Sequence, residues 1–446
     1  MSEFQIAYVP IGVPTFHLES AGKCFEESIR LLNSISQKVV YPEEMLLSID
    51  LLNNYLDRIN PGLIILQNVT FANAAYAGAV VKAFPNVPIV LWALREPVID
   101  GGRLRLNSLT GAFSASNAIH GLKDGKVPYI FGAPSEEKVN QKLSAAVKAA
   151  ETLYKMKALK VAAIGHTPQG FGFGRALDLE MQRVFGAELI SIEARELIDV
   201  AKGFSEKEVK AYLEDAGSRM TGLENTPENN RVDFGRLYKA YDEYVKNNNI
   251  KAVASRCWPD FFTAFGTPVC AVLAMLNDLG VAAACETDTY GALSMYIGME
   301  MSGNPTFFGD PVSMDEEENT ITFWHCGTAA CSLAKDGCAN VDVHCNRKIG
   351  PTLDFGCRPE KRVTVFRIGR KPDGTFRFFL AGGEALDKPK QFNGTCAVIK
   401  TDGDVKQIIG GGIGDGWEPH FVVVYGDVSE AIKMLGDMMN IEVSEY

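Results

Sequence analysis

Apolar residues fall along this chain in short, nearly unbroken runs that alternate with longer stretches of helical period. Residues 4–10 form one such run, and residues 63–66 form another after Pro61-Gly62. A third covers residues 87–93. Short apolar runs bounded by turn signals predict strands buried on both faces. Between them, residues 20–36 carry an amphipathic helical period and residues 72–84 are rich in Ala and Val. Strand and helix in alternation, with both sheet faces apolar, predict βαβ units around a parallel sheet.

Residues 135–159 predict a long helix opening on Pro134-Ser135-Glu136-Glu137, and residues 160–165 begin a second strand–loop–helix unit. Residues 250–255 and 281–285 are further strands of that unit, each after a helical stretch. From about Lys361 the pattern changes to shorter β segments, at 362–367, 375–380, 395–399 and 421–425. Lys371-Pro-Asp-Gly374 predicts a hairpin turn between two of them. The expected fold is α/β. Two Rossmann-like parallel-sheet domains, residues 1–155 and 156–345, precede a β-rich C-terminal domain, residues 346–446.

Composition narrows the function more than the fold. The 446 residues include 44 Lys+Arg against 55 Asp+Glu, a formal net charge of −11. That balance argues against a nucleic-acid partner, which needs a basic face. A small anionic substrate in a local basic pocket stays open. The longest apolar run, residues 268–275, soon meets Asn277-Asp278 and is too short to cross a bilayer. Residues 1–10 carry Glu3 where a secretion signal would carry basic residues. The ten cysteines include no CxxC pair, so free thiols and a cytoplasmic location are expected. Cys326, Cys331, Cys338, Cys345 and Cys357 cluster beside His325 and His344 without the paired spacing of zinc or iron–sulfur ligands. Small buried core residues are expected there.

Three features carry candidate chemistry. Gly165-His-Thr-Pro-Gln-Gly170-Phe-Gly172-Phe-Gly174 follows a strand and precedes a helix, with Glu188 and Glu193 further on, as in a dinucleotide site. Its last three glycines are evenly spaced, and Pro168 and Phe171 crowd the room a pyrophosphate needs. A βα turn lining a cleft is expected instead of a nicotinamide site. Next, residues 281–285 run straight into Glu286 and residues 305–309 into Asp310. Ligands of open α/β sheets bind beyond the carboxyl ends of strands. The separation, 310 − 286 = 24 residues, is about one βαβ step, so adjacent strands are expected to deliver both carboxylates to one site. A helix N-cap is the alternative for either alone. Last, His325 ends the strand-like run Ile321-Thr-Phe-Trp324-His325, and His420 precedes another. Each alone reads as a core histidine. Four oxygen and nitrogen donors together suit Mn²⁺ or another divalent cation with positions open to substrate oxygens.

The same residues carry a resemblance. Glu286-Thr-Asp-Thr-Tyr-Gly-Ala-Leu-Ser-Met295, with Phe307-Phe-Gly-Asp310, Phe323-Trp-His325-Cys-Gly and Pro419-His420, resembles the L-fucose/L-arabinose isomerase family. Pro14-Thr-Phe-His17 is similar to that family's early substrate-contacting loop, and Arg256-Cys-Trp258-Pro259 to its approach to the site. The resemblance covers most of the chain and is most specific over residues 250–330. It implies the same order of three domains and a metal-dependent aldose–ketose isomerase working through a cis-enediol. It implies Glu286, Asp310 and His420 as metal ligands, with Glu286 and Asp310 catalytic. Fucose-type members resemble the chain in having Asp at the second position. Arabinose-type members add a His ligand where His325 falls.

Substrate contacts are implied for His17 and Trp258. The family is similar in building its sites between subunits of a hexamer. Arg95, Asn117 and His120, past a strand end of the first region, would serve such a shared site; for each the alternative is a charged or polar group that simply faces water. A cationic lining suits a sugar with an anionic far end. Some shorter relatives act on sulfoquinovose, the specific alternative to a fucose- or arabinose-like or modified hexose. From another class, a non-catalytic sugar-binding protein is the alternative. It has no need of two strand-end carboxylates and two histidines.

Overall fold

The computed structural model describes residues 3–446; Met1 and Ser2, part of the N-terminal reading, lie outside the described residues. The chain divides into two compact units, Met1–Lys155 with Glu430–Glu442, and Met156–Ser429 with Val443–Tyr446.

In the first unit, β1 (Ile6–Ile11), β2 (Val39–Val40), β3 (Leu63–Asn68), β4 (Ile89–Ala93) and β5 (Tyr129–Phe131) form a parallel sheet. Its order is β2-β1-β3-β4-β5. β1, β3 and β4 are buried at every position, as parallel strands covered on both faces must be. The expected helices are present as Leu18–Ile35, Ala74–Ala83 and Glu137–Met156. Val9, Ile11, Leu66 and Leu91 pack against Tyr76, Val80 and Ile119 in its core.

The second unit opens on a four-stranded parallel sheet. Its strands are β6 (Lys160–Ile164), β7 (Glu188–Ile192), and, after the short β8 (Met220–Thr221), β9 (Ala252–Ser255) and β10 (Ala282–Cys285). They lie in the order β10-β9-β6-β7, without β8. The chain continues through β11 (Thr306–Asp315), β12 (Thr320–His325), β13 (Ala339–Asp342), β14 (Thr352–Leu353) and β15 (Phe355–Gly356). It ends with β16 (Glu360–Arg370), β17 (Phe376–Ala385), β18 (Thr395–Thr401), β19 (Phe421–Tyr425) and β20 (Glu442–Glu445). Eight of these form one sheet, β15-β18-β12-β11-β19-β16-β17-β20, while β14, β13 and β8 make a small third sheet. The turn at Lys371–Gly374 joins β16 to β17, closed by Gly374 N–H on Lys371 O at 2.9 Å.

One helix, Thr289–Ser302, packs against both the parallel sheet and the eight-stranded sheet and is buried along most of its length. A helix apolar on all sides belongs in such a position. Two glycines let it approach. A Cβ on Gly291 would lie 2.6 Å from Phe308, and one on Gly298 would lie 2.6 Å from Val424.

The apolar run at 268–275 falls mostly in the buried helix Cys270–Asp278. No helix of the described residues is long and apolar enough to cross a membrane. All ten cysteines are free thiols. Of the five between 326 and 357, only Cys331 and Cys357 are buried, and Cys338 is exposed. The segment they occupy is largely short turns and loops, so it offers little core to hide them in.

Candidate active site

Beyond Cys285, the last residue of β10, the chain turns sharply. Glu286 and Thr287 have φ of 58° and 53°, two successive non-glycine residues in the left-handed region. Such a residue costs on the order of 1–3 kcal/mol, which the surroundings must hold in place. Thr287 Oγ1 donates to Ile164 O at 3.4 Å, and Asp288 accepts from Gly291 N–H at 2.8 Å, capping the helix Thr289–Ser302. The turn points Glu286 toward the eight-stranded sheet, where it meets His420.

Asp310 arrives by another route. It lies inside β11, not at a strand end, and β11 is not a neighbour of β10. The expected pair of adjacent strands is therefore corrected: the buried helix carries the chain from one sheet to the other. β11 pairs with β12 and β19, placing Asp310 opposite Trp324 and Gly309 opposite Phe421. That register brings together Asp310, His325 at the end of β12, and His420 just before β19. A bulge between Pro311 and Ser313 follows Asp310, a common device for re-aiming side chains beside sites.

His420 Nε2 lies 3.0 Å from Glu286 Oε2 and 3.5 Å from Asp310 Oδ1. Glu286, His325 and His420 present donor atoms all within 4.8 Å of one another. Behind them, His420 Nδ1 donates to Asp288 Oδ2 at 2.8 Å. Asp288 is in turn gripped by the fully buried Arg367 at 2.5 and 3.1 Å. A carboxylate on the far ring nitrogen fixes the tautomer and leaves the other nitrogen free to ligate. His325 Nδ1 faces Cys326 Sγ and Thr328 Oγ1, each at 3.4 Å. Trp258 Nε1 donates to Glu286 Oε1 at 3.1 Å.

The electrostatics favour positive charge at this point. Burial lifts the Asp310 carboxyl above its ordinary range. Burial acts on Glu286 too, but His420, His325 and Trp258 outweigh it and lower its pKa. Burial pulls both imidazoles down, yet hydrogen bonds to Asp288 and Glu286 push His420 up to about 9. Cys326, with Asp310 and Glu286, pushes His325 up to about 10. Two carboxylates and two imidazoles, one with its far nitrogen already braced by a carboxylate, fit a divalent cation that prefers oxygen and nitrogen.

A cavity of about 130 Å³ opens on this group, lined by Trp258, Glu286, Asp310, Trp324, His325 and Arg347 among others. The glycine-rich loop also lines the site. Phe173 and Phe171 pack on the His420 ring at 5.3 and 6.3 Å, and a Cβ on Gly174 would lie 2.8 Å from Asp288 Cα.

Glu286, Asp310, His325, His420 and Trp258 thus converge. The remaining candidates belong to the first unit and have local partners. His17 caps the helix Leu18–Ile35, and Arg95 pairs with Glu136 at 2.8 and 3.0 Å. His120 Nδ1 is 2.8 Å from Ser116 O, and Asn117 lines a surface groove with Ile49 and Ala74. Two residues escaped the sequence reading, Asp288 and Arg367. Asp288 looks like an ordinary N-cap. The available signal was Arg367 itself, an arginine within the apolar run Val363-Thr-Val-Phe-Arg-Ile368, where a buried cation demands a carboxylate.

No protein-family model matches the chain. Over 447 residues, covering all of both chains, it is 61% identical to a sulfoquinovose isomerase of Clostridium sp. (strain MSTE9). It is 34% identical over 453 residues to the sulfoquinovose isomerase of Priestia aryabhattai, again covering 100% of both. That of Alkalicoccus urumqiensis is 35% identical over 446 residues, covering 99% of each. The chain is therefore a sugar isomerase, and it belongs to the sulfoquinovose isomerase family.

Proposed function

We propose that this protein is a metal-dependent isomerase that converts sulfoquinovose to its 2-ketose through a cis-enediol. The observation that carries the reading is the convergence of Glu286, Asp310, His325 and His420 in a chain matched end to end by sulfoquinovose isomerases. The same grouping supports kinship with the L-fucose/L-arabinose isomerases. Glu286, Asp310 and His420 stand where that resemblance implies ligands, and His325 where it implies the extra one.

Those four side chains would hold the cation, Mn²⁺ by donor type. When bound, it supplies Lewis-acid stabilisation of the negative charge that develops on the sugar oxygens, by several kcal/mol. The reaction itself is proton movement: the proton on C2 goes to C1, and the hydroxyl proton on O2 goes to O1. Glu286 and Asp310 divide this work as base and acid. Trp258 holds one Glu286 oxygen and so fixes the carboxylate plane. Phe171, Phe173 and Phe308 cover His420 and keep water from it. The working form is a cytoplasmic homo-oligomer, up to a hexamer. There His17, Arg95, Asn117 and His120 of one copy serve the site of another.

The test is ketose formation from sulfoquinovose, fucose and arabinose, each with Mn²⁺ and after EDTA treatment. Conversion of sulfoquinovose that EDTA abolishes and Mn²⁺ restores is expected. Conversion of only the uncharged sugars, or turnover indifferent to EDTA, overturns the reading.

A further inference from the structure

We propose that Arg347 forms the subsite for the sulfonate of the substrate, at the far end of the cavity from the reacting carbons. This rests on the proposed substrate and goes on to name the residue that selects it.

Arg347 lines the same cavity as Glu286, Asp310 and His325. Its guanidinium lies 5.2 Å from the ring centres of both Trp258 and Phe262. Stacking on ring faces engages the plane of the guanidinium and leaves its N–H edge for a ligand. Three arginines near the site have acidic partners: Arg256 with Asp260, Arg367 with Asp288, Arg370 with Glu180. Arg347 has no such carboxylate partner among the described residues. Arg347 is exposed at the rim of this cavity, packed on aromatic rings with its N–H edge open to an anion carried by the substrate.

The backbone beneath it is fixed in advance. His344, buried, accepts from the N–H groups of Asn346 at 3.2 Å and Arg347 at 3.4 Å through Nδ1. Lys348 N–H closes on His344 O at 2.8 Å, and the His344 ring stands edge-on to Phe262 at 5.2 Å. A turn ordered this way spends little entropy on presenting its arginine. Trp258 links the two ends of the cavity. Its N–H holds Glu286 while its face carries Arg347, so a single indole separates the catalytic carboxylate from the cation.

A sulfonate is a permanent anion with three equivalent oxygens, which a guanidinium edge grips with two parallel N–H bonds. An uncharged sugar leaves that edge unpaired, so the subsite rejects it as well as welcoming the sulfonate. The experiment compares kcat/KM for sulfoquinovose with that for 6-deoxyglucose, the same sugar without its sulfonate. Arg347→Met and Arg347→Lys are measured beside the wild type. In Arg347→Met the preference for the sulfonated sugar is expected to fall at least about 10-fold, the scale of losing a bidentate charge-assisted hydrogen bond. Arg347→Lys keeps the charge without the fork and retains an intermediate preference. If both variants fold and keep the wild-type ratio, the subsite is elsewhere and this inference fails alone. If the wild type has no preference for the sulfonated sugar, the proposed substrate fails with it.

Discussion

The two walls of the site are built by different means. On the parallel-sheet side, Glu286 is positioned by backbone strain, two left-handed residues in a row just past β10. On the antiparallel side, Asp310, His325 and His420 are positioned by strand register, and no strained residue is needed at any of them. Register is difficult to perturb, because a slip of one residue turns every side chain of the strand to the other face. A strained turn is adjustable in small steps. The two histidines extend the contrast. His420 is braced by the buried Asp288–Arg367 pair, His325 by the softer Cys326 and Thr328.

The largest effect tests whether both walls are needed for chemistry. Glu286→Gln and Asp310→Asn should each lower kcat on the order of 10³-fold, with melting temperatures near wild type. Near-normal turnover in either would remove that wall from the reaction. Next comes the brace. Arg367→Met leaves the buried Asp288 carboxylate without its guanidinium, held only by His420 and Gly291 N–H, and should cost about 3 kcal/mol in chemical denaturation. In Asp288→Asn, calorimetric titration with Mn²⁺ should show affinity about 10–100-fold weaker. If Thr328→Val, beside His325, weakens binding as much, the two histidines are not held differently.

A smaller effect is expected at the strained turn. In Thr287→Gly, strain relief offsets the entropy of the new glycine but not the lost buried hydroxyl and its bond to Ile164 O, so stability should fall by about 1–2 kcal/mol. Turnover should still fall several-fold as Glu286 loosens, and unchanged kcat would show that the strain does not aim Glu286. The smallest effect lies in the first unit, at Arg95–Glu136. The hydrogen bond from Arg95, helped by Ala133 N–H, lowers the Glu136 pKa to about 2. A depressed carboxylate stabilises the fold above its unfolded pKa of about 4.3 and loses that contribution as pH falls through about 2. The difference in melting temperature between wild type and Arg95→Met should therefore shrink on acidification below about pH 4. A gap independent of pH would mean that packing on Phe131, 4.7 Å away, is what Arg95 contributes.

Much of this was legible in the chain because burial writes itself into local pattern. β1, β3 and β4 appear as unbroken apolar runs, and Lys371-Pro-Asp-Gly374 turns where its residue types demand. Glu286, Asp310, His325 and His420 stood out as polar donors at the margins of apolar runs. What stayed hidden was partnership across distance. Periodicity reports that β10 and the first half of β11 are buried, not that they belong to different sheets. Nor does it show Asp288 reaching Arg367, 79 residues on, or Arg347 stacking on Trp258. Such pairs are set by topology, and a single sequence leaves no local trace of them.

The indole of Trp258 gives the site a mechanical link between recognising and reacting. Whatever settles Arg347 against its face also settles the N–H that holds Glu286. Affinity gained at the distant group is thereby spent on alignment at the carbons being rearranged. A sugar that leaves the far end empty meets a less ordered carboxylate, so selectivity in this enzyme is written into its speed as well as its grip.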